Sequence, residues 1–226
     1  MPTLSVIIPC YNHGKFLDEA VGSVEAQTFR DLEIVVVNDG STDRFTRRRL
    51  AEFARPSARV LHVPHGGKAA AVNAGIRESS GRYLLVLDAD DRIAPTYAQK
   101  GVRVLEERPE VGVVYCDAEL FGKKSGPWPL PEFDLELMLR RNLIFATAFF
   151  RREDWEAVGG FDVDVRNEDY DFWLSLLERG RAVHKIPEVL FEVIRDLKLE
   201  IARRIEALPH KRVGAGLKRL VGQPRP

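Results

Sequence analysis

The chain has 226 residues, 45% of them hydrophobic, which is enough to bury one core, so a single α/β domain followed by a tail is expected. Its 34 Lys and Arg balance 34 Asp and Glu; no overall field draws it to nucleic acid, and any charged ligand must be held locally. Two cysteines in apolar runs, a start without a charged leader and apolar runs shorter than the roughly 18 to 20 residues of a membrane span argue against a disulfide scaffold, export or a spanning helix, and the chain is expected in the cytoplasm.

Leu4-Ser-Val-Ile-Ile8 is a β-branched run closed by Pro9; a polar turn at Tyr11-Asn12 and apolar residues at helical spacing, Phe16, Leu17, Ala20, Val21 and Val24, follow it. The pattern predicts strand, loop, helix. Glu33 to Val37 repeats it as a continuous apolar strand of the kind buried on both faces of a parallel sheet, ending in the turn and cap residues Asn38 to Asp43, with Thr42 and Asp43 read as helix caps. A third strand, Arg59 to Val63, leads through His65-Gly-Gly67 into a helix from Ala69 to Arg77, and a fourth, Tyr83 to Leu87, stops at Asp88-Ala-Asp-Asp91. This alternation predicts an α/β fold with a mostly parallel, doubly wound sheet and flanking helices, whose ligands bind beyond the carboxyl ends of the strands, where the polar clusters fall.

Past Pro95 the sequence predicts a helix to about Glu107, a strand from Val111 to Tyr115, and a Gly/Pro-rich loop from Gly122 to Pro131 that is long enough for a lid or acceptor-side flap. Trp128 in that loop suits either stacking on a sugar ring or packing. An apolar run from Ile144 leads to Gly159-Gly-Phe-Asp162, then Asn167-Glu-Asp-Tyr-Asp-Phe-Trp173 and a helix to about Arg179. We place the domain at 1–195 and a basic helical tail at 196–226. That tail carries eight Lys or Arg against three Asp or Glu, with Leu197, Ile201, Ile205 and Leu208 on one helical face. It is a candidate for peripheral contact with an anionic membrane, or for packing on the domain edge.

The strongest chemical signal is Asp88-Ala89-Asp90-Asp91. Hard carboxylate oxygens suit Mg2+ or Mn2+. In an extended segment residues i and i+2 point the same way, so Asp88 and Asp90 can face one ligand. Asp91 reads as the cap of the following helix. Lys68, just after two glycines and near a helix N-terminus, is placed to meet phosphates.

Taken in order, Ser5-Val-Ile-Ile-Pro-Cys-Tyr-Asn12, Glu33-Ile-Val-Val-Val-Asn-Asp-Gly-Ser-Thr-Asp43, Gly67 to Gly75, Leu87-Asp-Ala-Asp-Asp91, Gly159-Gly-Phe-Asp162 and Glu168-Asp169 resemble glycosyltransferases of the GT-A fold, particularly the inverting family 2, from Leu4 to about Phe191. The resemblance implies a metal-dependent transferase that moves a sugar from a nucleotide-diphospho-sugar, a UDP-sugar first of all, to a hydroxyl of a glycan, polysaccharide or lipid-linked sugar. It implies that Pro9, Tyr11 and Asp39 line the nucleoside pocket, with Asp39 reading the base edge and Tyr11 against the base or ribose. Asp88 is then expected at the ribose or the metal, Asp90 on the ion bridging the diphosphate, Ala89 between them in the donor wall, and Asp169 as the general base.

Where many relatives continue with an aromatic, Arg and then His that reaches the metal, this chain reads Phe191-Glu-Val-Ile-Arg-Asp196. His184 and His210 are poor substitutes by position. A non-catalytic nucleotide-binding module of the same fold is therefore the alternative. A nucleotidyltransferase fits less well, because Pro9-Cys-Tyr-Asn-His-Gly14 is not the Gly-rich basic loop such an enzyme needs after its first strand.

Overall fold

The computed structural model describes residues 1–122, 125–128 and 130–194. The predicted tail, 196–226, and its membrane contact lie outside the described residues. Within them, four strands form a parallel half-sheet: β1 (Leu4–Cys10), β2 (Leu32–Asp39), β3 (Ala58–Val63) and β4 (Tyr83–Val86), in the order β3-β2-β1-β4. The chain winds outward from β1 to β3 and then returns to β4 on the other side of β1. The crevice beyond the carboxyl ends of β1 and β4 is thus where the strand order reverses, the place at which open α/β sheets bind ligands.

The remainder of the sheet is mixed. β8 (Phe149–Arg151) runs antiparallel to both β4 and β6 (Val111–Phe121), β9 (Ala182–Ile194) lies parallel to β6, and β5 (Arg92–Ile93) closes that edge. The long ladders are parallel, as expected, and the antiparallel ones are short. β6 continues to Phe121, past the predicted end at Tyr115, because β9 pairs with it over that length. Part of the Gly/Pro-rich loop returns as β7 (Gly126–Trp128) and pairs with β6.

Alternation along β1 divides the core in two. Val6 and Ile8 pack with Leu17, Ala20, Val21 and Val24 of α1 (Leu17–Glu25) and with Tyr97, Ala98 and Val102 of α4 (Tyr97–Glu107). Ile7 faces the other layer, with Ala71, Val72 and Ile76 of α3 (Lys68–Arg77) and Trp173, Leu176 and Leu177 of α7 (Glu168–Glu178). The predicted helical faces are the ones buried. Asp43 caps α2 (Arg44–Ala51) by accepting the Thr46 N–H at 2.9 Å. Asp91 does not cap α4: Thr96 holds the N-cap position, and Asp91 sits ahead of β5 with 1% of its surface exposed.

Two short helices, α5 (Leu135–Met138) and α6 (Arg152–Val158), carry too little periodicity to be predicted. The Gly159-Gly160 pair ends α6 with φ of 87° and 88°, and a Cβ on Gly160 would meet the Asn73 side-chain oxygen at 2.9 Å. That oxygen accepts the Phe161 N–H and the Trp155 indole N–H, while the Asn73 amide donates to the Phe161 carbonyl. Asn73 and the two glycines thereby join α3 to the segment that leads into α7, a packing role. Both cysteines are free and buried.

Candidate functional site

At the end of β2 the Asp39 carboxylate is 3% exposed and accepts the N–H groups of Gly66 at 2.8 Å and Gly67 at 3.1 Å, with His65 Nδ1 2.9 Å from its second oxygen. An ionised carboxylate has about four lone-pair sites, so this pattern leaves roughly one for a ligand. Gly40, at φ 60°, permits the approach: a Cβ there would lie 2.6 Å from the His65 backbone nitrogen. Tyr11 stacks on the His65 ring, centroids 4.1 Å apart and planes 16° from parallel. Asn12, at φ 59°, accepts the Thr42 and Asp43 N–H groups at 2.8 and 3.0 Å, tying the loop after β1 to the loop after β2. Tyr11 and Asp39 thus gather at one corner through His65, while Pro9 pairs opposite Val37 one strand position before Cys10.

Beyond β4 the chain turns sharply, Asp91 donating its N–H to the Asp88 carbonyl at 3.0 Å. The turn brings one oxygen each from Asp88, Asp90 and Asp91 within 4.8 Å of one another. Oxygens so close can be drawn onto one ion by small rotations of the carboxylates, and an all-carboxylate set suits Mg2+ or Mn2+. The residues present therefore fit a divalent ion, with Asp91 joining the two aspartates expected there. Asp90 is buried, its carboxylate 3.6 Å from His13 Nδ1. Ala89 is 1% exposed and belongs to the core, so its side chain forms no part of a donor wall. His184 is bound to Arg108 at 2.9 Å, and burial followed by that guanidinium lowers its pKa. His210 lies outside the described residues.

Lys68 opens α3 and its ammonium reaches Asp88 at 2.6 Å. The N–H groups of Gly66 and Gly67 ahead of it serve Asp39.

Glu168 and Asp169 begin α7, which Tyr170 fastens by donating its hydroxyl to the Met138 carbonyl and which Phe172 and Trp173 anchor in the core. One Asp169 oxygen accepts the Tyr170 N–H at 2.8 Å, and the other accepts from the Asn142 amide at 3.3 Å. Burial raises the pKa of both acids; the Lys68 charge opposes the rise, and the Asp88 charge adds to it. Acidic turn, lysine and helix start therefore share one electrostatic field.

Several of these groups line one cavity of about 760 Å³. Lys68, Asp88 and Asp91 stand on its wall with Glu168 and Asp169, and Trp128, Leu130, Phe145, Arg141 and Arg166 complete it. Pro9, Tyr11, Asp39 and Asp90 are not among the lining residues. Trp128 meets Phe145 edge-on at 5.0 Å, and Phe145 meets Phe191 at 5.3 Å, so the tryptophan packs while it faces the cavity. The segment at Leu130 and Glu132 is held by Lys185 of β9, whose side chain is 7% exposed: its ammonium lies 2.8 Å from Asp117, 3.0 Å from Glu132 and 3.1 Å from the Leu130 carbonyl. Asn142, Lys185, Arg141 and Arg166 were not singled out in the sequence, because none belongs to a local motif.

The family model described as Glycosyl transferase family 2 matches residues 5–161. An uncharacterized glycosyltransferase of Rickettsia felis is 30% identical over 204 residues, covering 84% of this chain and 34% of its own length. Chondroitin synthase of Pasteurella multocida is 29% identical over 193 residues, 81% of this chain and 20% of its own. This chain thus spans about a third and a fifth of those two relatives. Among solved structures, residues 1–349 of S. aureus TarS with UDP-GlcNAc superpose with a TM-score of 0.70 at 20% identity, over 85% of this chain and 58% of that one. The mannosyltransferase PcManGT of Pyrobaculum calidifontis, in complex with GDP-Man and Mn2+, gives 0.67 at 24% identity, over 91% and 60%. No helix among the described residues is long and apolar enough to cross a membrane.

Proposed function

Because the chain belongs to glycosyl transferase family 2 and has the GT-A fold, we propose that it transfers a sugar, with inversion at the anomeric carbon, from a nucleotide-diphospho-sugar to a hydroxyl of a glycan, polysaccharide or lipid-linked acceptor. The observation that carries this reading is the single cavity bearing both Lys68 with Asp88 and Glu168 with Asp169. Its volume of about 760 Å³ lies within the range of small-molecule sites.

In this reading the nucleoside rests at the corner of Pro9, Tyr11 and Asp39, where the remaining lone pair of Asp39 meets a ring N–H of the base. Lys68 faces the diphosphate. Mg2+ or Mn2+, held by Asp88 and Asp90 with Asp91, would supply Lewis-acid neutralisation of the departing nucleoside diphosphate. Asp169 takes the proton of the acceptor hydroxyl as that oxygen bonds to the anomeric carbon; the bond to the diphosphate oxygen breaks on the opposite face and its electron pair leaves with the diphosphate. The raised pKa of Asp169 makes it a stronger base, and Asn142 holds its second oxygen. UDP-sugars and GDP-mannose are the donors to try first, since TarS was solved with UDP-GlcNAc and PcManGT with GDP-Man. The buried free thiols of Cys10 and Cys116 suit a reducing, cytoplasmic setting.

Incubation with a panel of sugar nucleotides and Mn2+, following nucleoside diphosphate release and the anomeric configuration of the product by NMR, tests this. Release from one donor with an inverted product is expected. A retained configuration would remove Asp169 from the role of base, and no release from any donor would remove the transferase reading.

A further inference from the structure

The cavity wall contains two guanidinium groups that the donor chemistry leaves unused. Arg141 and Arg166 are both exposed and both line it. Some surface arginines elsewhere, such as Arg48, Arg92 and Arg103, hold carboxylates, and others, such as Arg44, Arg47 and Arg77, do not; Arg141 and Arg166 differ from the latter in lining the cavity. Among the described residues none places a carboxylate within ion-pair distance of Arg141 or Arg166, although the same cavity carries Asp88, Asp91, Glu168 and Asp169.

Their position in the chain says which substrate they face. Arg141 adjoins Asn142, whose amide is bonded to Asp169, and Arg166 stands just ahead of the turn that carries Glu168 and Asp169. Both thus stand in the chain next to the groups around Asp169, the acceptor side in the proposed reading, whereas Lys68, which that reading gives to the donor's phosphates, is paired with Asp88. From this placement we infer that the acceptor is anionic: a sugar chain with a carboxylate or phosphate ester on or next to the residue that is glycosylated, gripped by Arg141 and Arg166. A guanidinium fork matches either group with two parallel hydrogen bonds. Because the chain has no net charge, such selectivity comes from these local groups and weakens with salt.

The inference rests on the glycosyltransferase reading, in which Asp169 marks the acceptor side. Three disaccharides test it by NMR titration without nucleotide: one ending in glucuronic acid, its uncharged glucose counterpart, and the glucose disaccharide carrying a phosphate monoester. We expect an anionic disaccharide to bind at least about tenfold more tightly than the neutral one, the preference to shrink with added KCl, and Arg141→Gln and Arg166→Gln each to reduce it. The tighter of the two anions names the source of the charge. Thermal unfolding of both variants is expected to match the wild type, as exposed side chains allow, and UDP titration with Mn2+ to be unchanged. Equal binding of charged and neutral probes, or no binding of any, overturns the inference. Unchanged selectivity with weakened UDP binding overturns it too, and gives the arginines to the donor's phosphates. Failure of the wild type to bind any nucleoside diphosphate would instead strike the glycosyltransferase reading.

Discussion

The nucleoside corner and the acceptor side of the cavity are built in opposite ways. At the corner, Asp39, His65, Gly66 and Gly67 are joined by hydrogen bonds of 2.8 to 3.1 Å between adjacent strand ends, and Asn12 fastens the neighbouring loops through backbone N–H groups. On the acceptor side Asn142 meets Asp169 across a sequence separation like those of the corner, but Lys185 reaches Asp117, Glu132 and the Leu130 carbonyl across about twice that separation. The first region is a rigid mould made by strand termini. The second is a wall of long-range contacts that can vary while the donor site stays in place, which is how one fold serves many acceptors.

Substituting the base separates the two regions most sharply. Asp169→Asn is expected to lower transfer by about 10²- to 10⁴-fold while nucleoside diphosphate affinity holds; equal loss of both would mean that the residue supports the fold or the donor. Next in size is Asp39→Ala, which leaves the N–H groups of Gly66 and Gly67 without their acceptor. Urea denaturation should show a loss of roughly 2 to 4 kcal/mol, accompanied by weaker nucleotide binding, and an unchanged midpoint would deny that this carboxylate holds the corner together. On the other side, Lys185→Met should free the segment at Leu130 and Glu132 at a cost of about 1 to 3 kcal/mol. Faster amide exchange over 126–134 and a raised acceptor KM are expected with kcat for bound substrate and nucleotide affinity little altered, whereas nucleotide affinity falling with it would merge the two regions.

The smallest effect is on pH dependence. Because burial raises the Asp169 pKa above 3.8, the folded state holds a proton that the unfolded chain has already released. Stability therefore declines as pH rises from the unfolded value through the folded one. Asp169→Asn should accordingly unfold at a somewhat higher temperature than the wild type at pH 7, with the advantage disappearing below the unfolded pKa. Transfer should rise with pH through the same raised pKa; a rate limb at the ordinary aspartate value would contradict the burial of this group.

The contrast also explains what the sequence made legible. Strands such as Ile34 to Val37 and the face of α1 were readable because burial imposes a pattern within each segment. Asp88, Asp90 and Lys68 were readable because they follow directly from strand ends and a glycine pair. Asp91 was misread as a cap because its role depends on a turn and the short strand after it. The inward packing of Ala89 followed from that same turn. Arg141, Arg166 and Lys185 carry no local signature: the place of the two arginines is set by the path of the chain between β6 and α7, that of Lys185 by the pairing of β9 with β6, and no spacing in the sequence encodes either.

The most direct test of the two-region account is calorimetric titration of nucleoside diphosphates, with and without Mn2+, into the wild type, Asp88→Asn and Asp169→Asn. The account predicts metal-dependent binding of one nucleotide that Asp88→Asn loses and Asp169→Asn keeps; binding kept by both variants, lost from both, or absent from the wild type would contradict it.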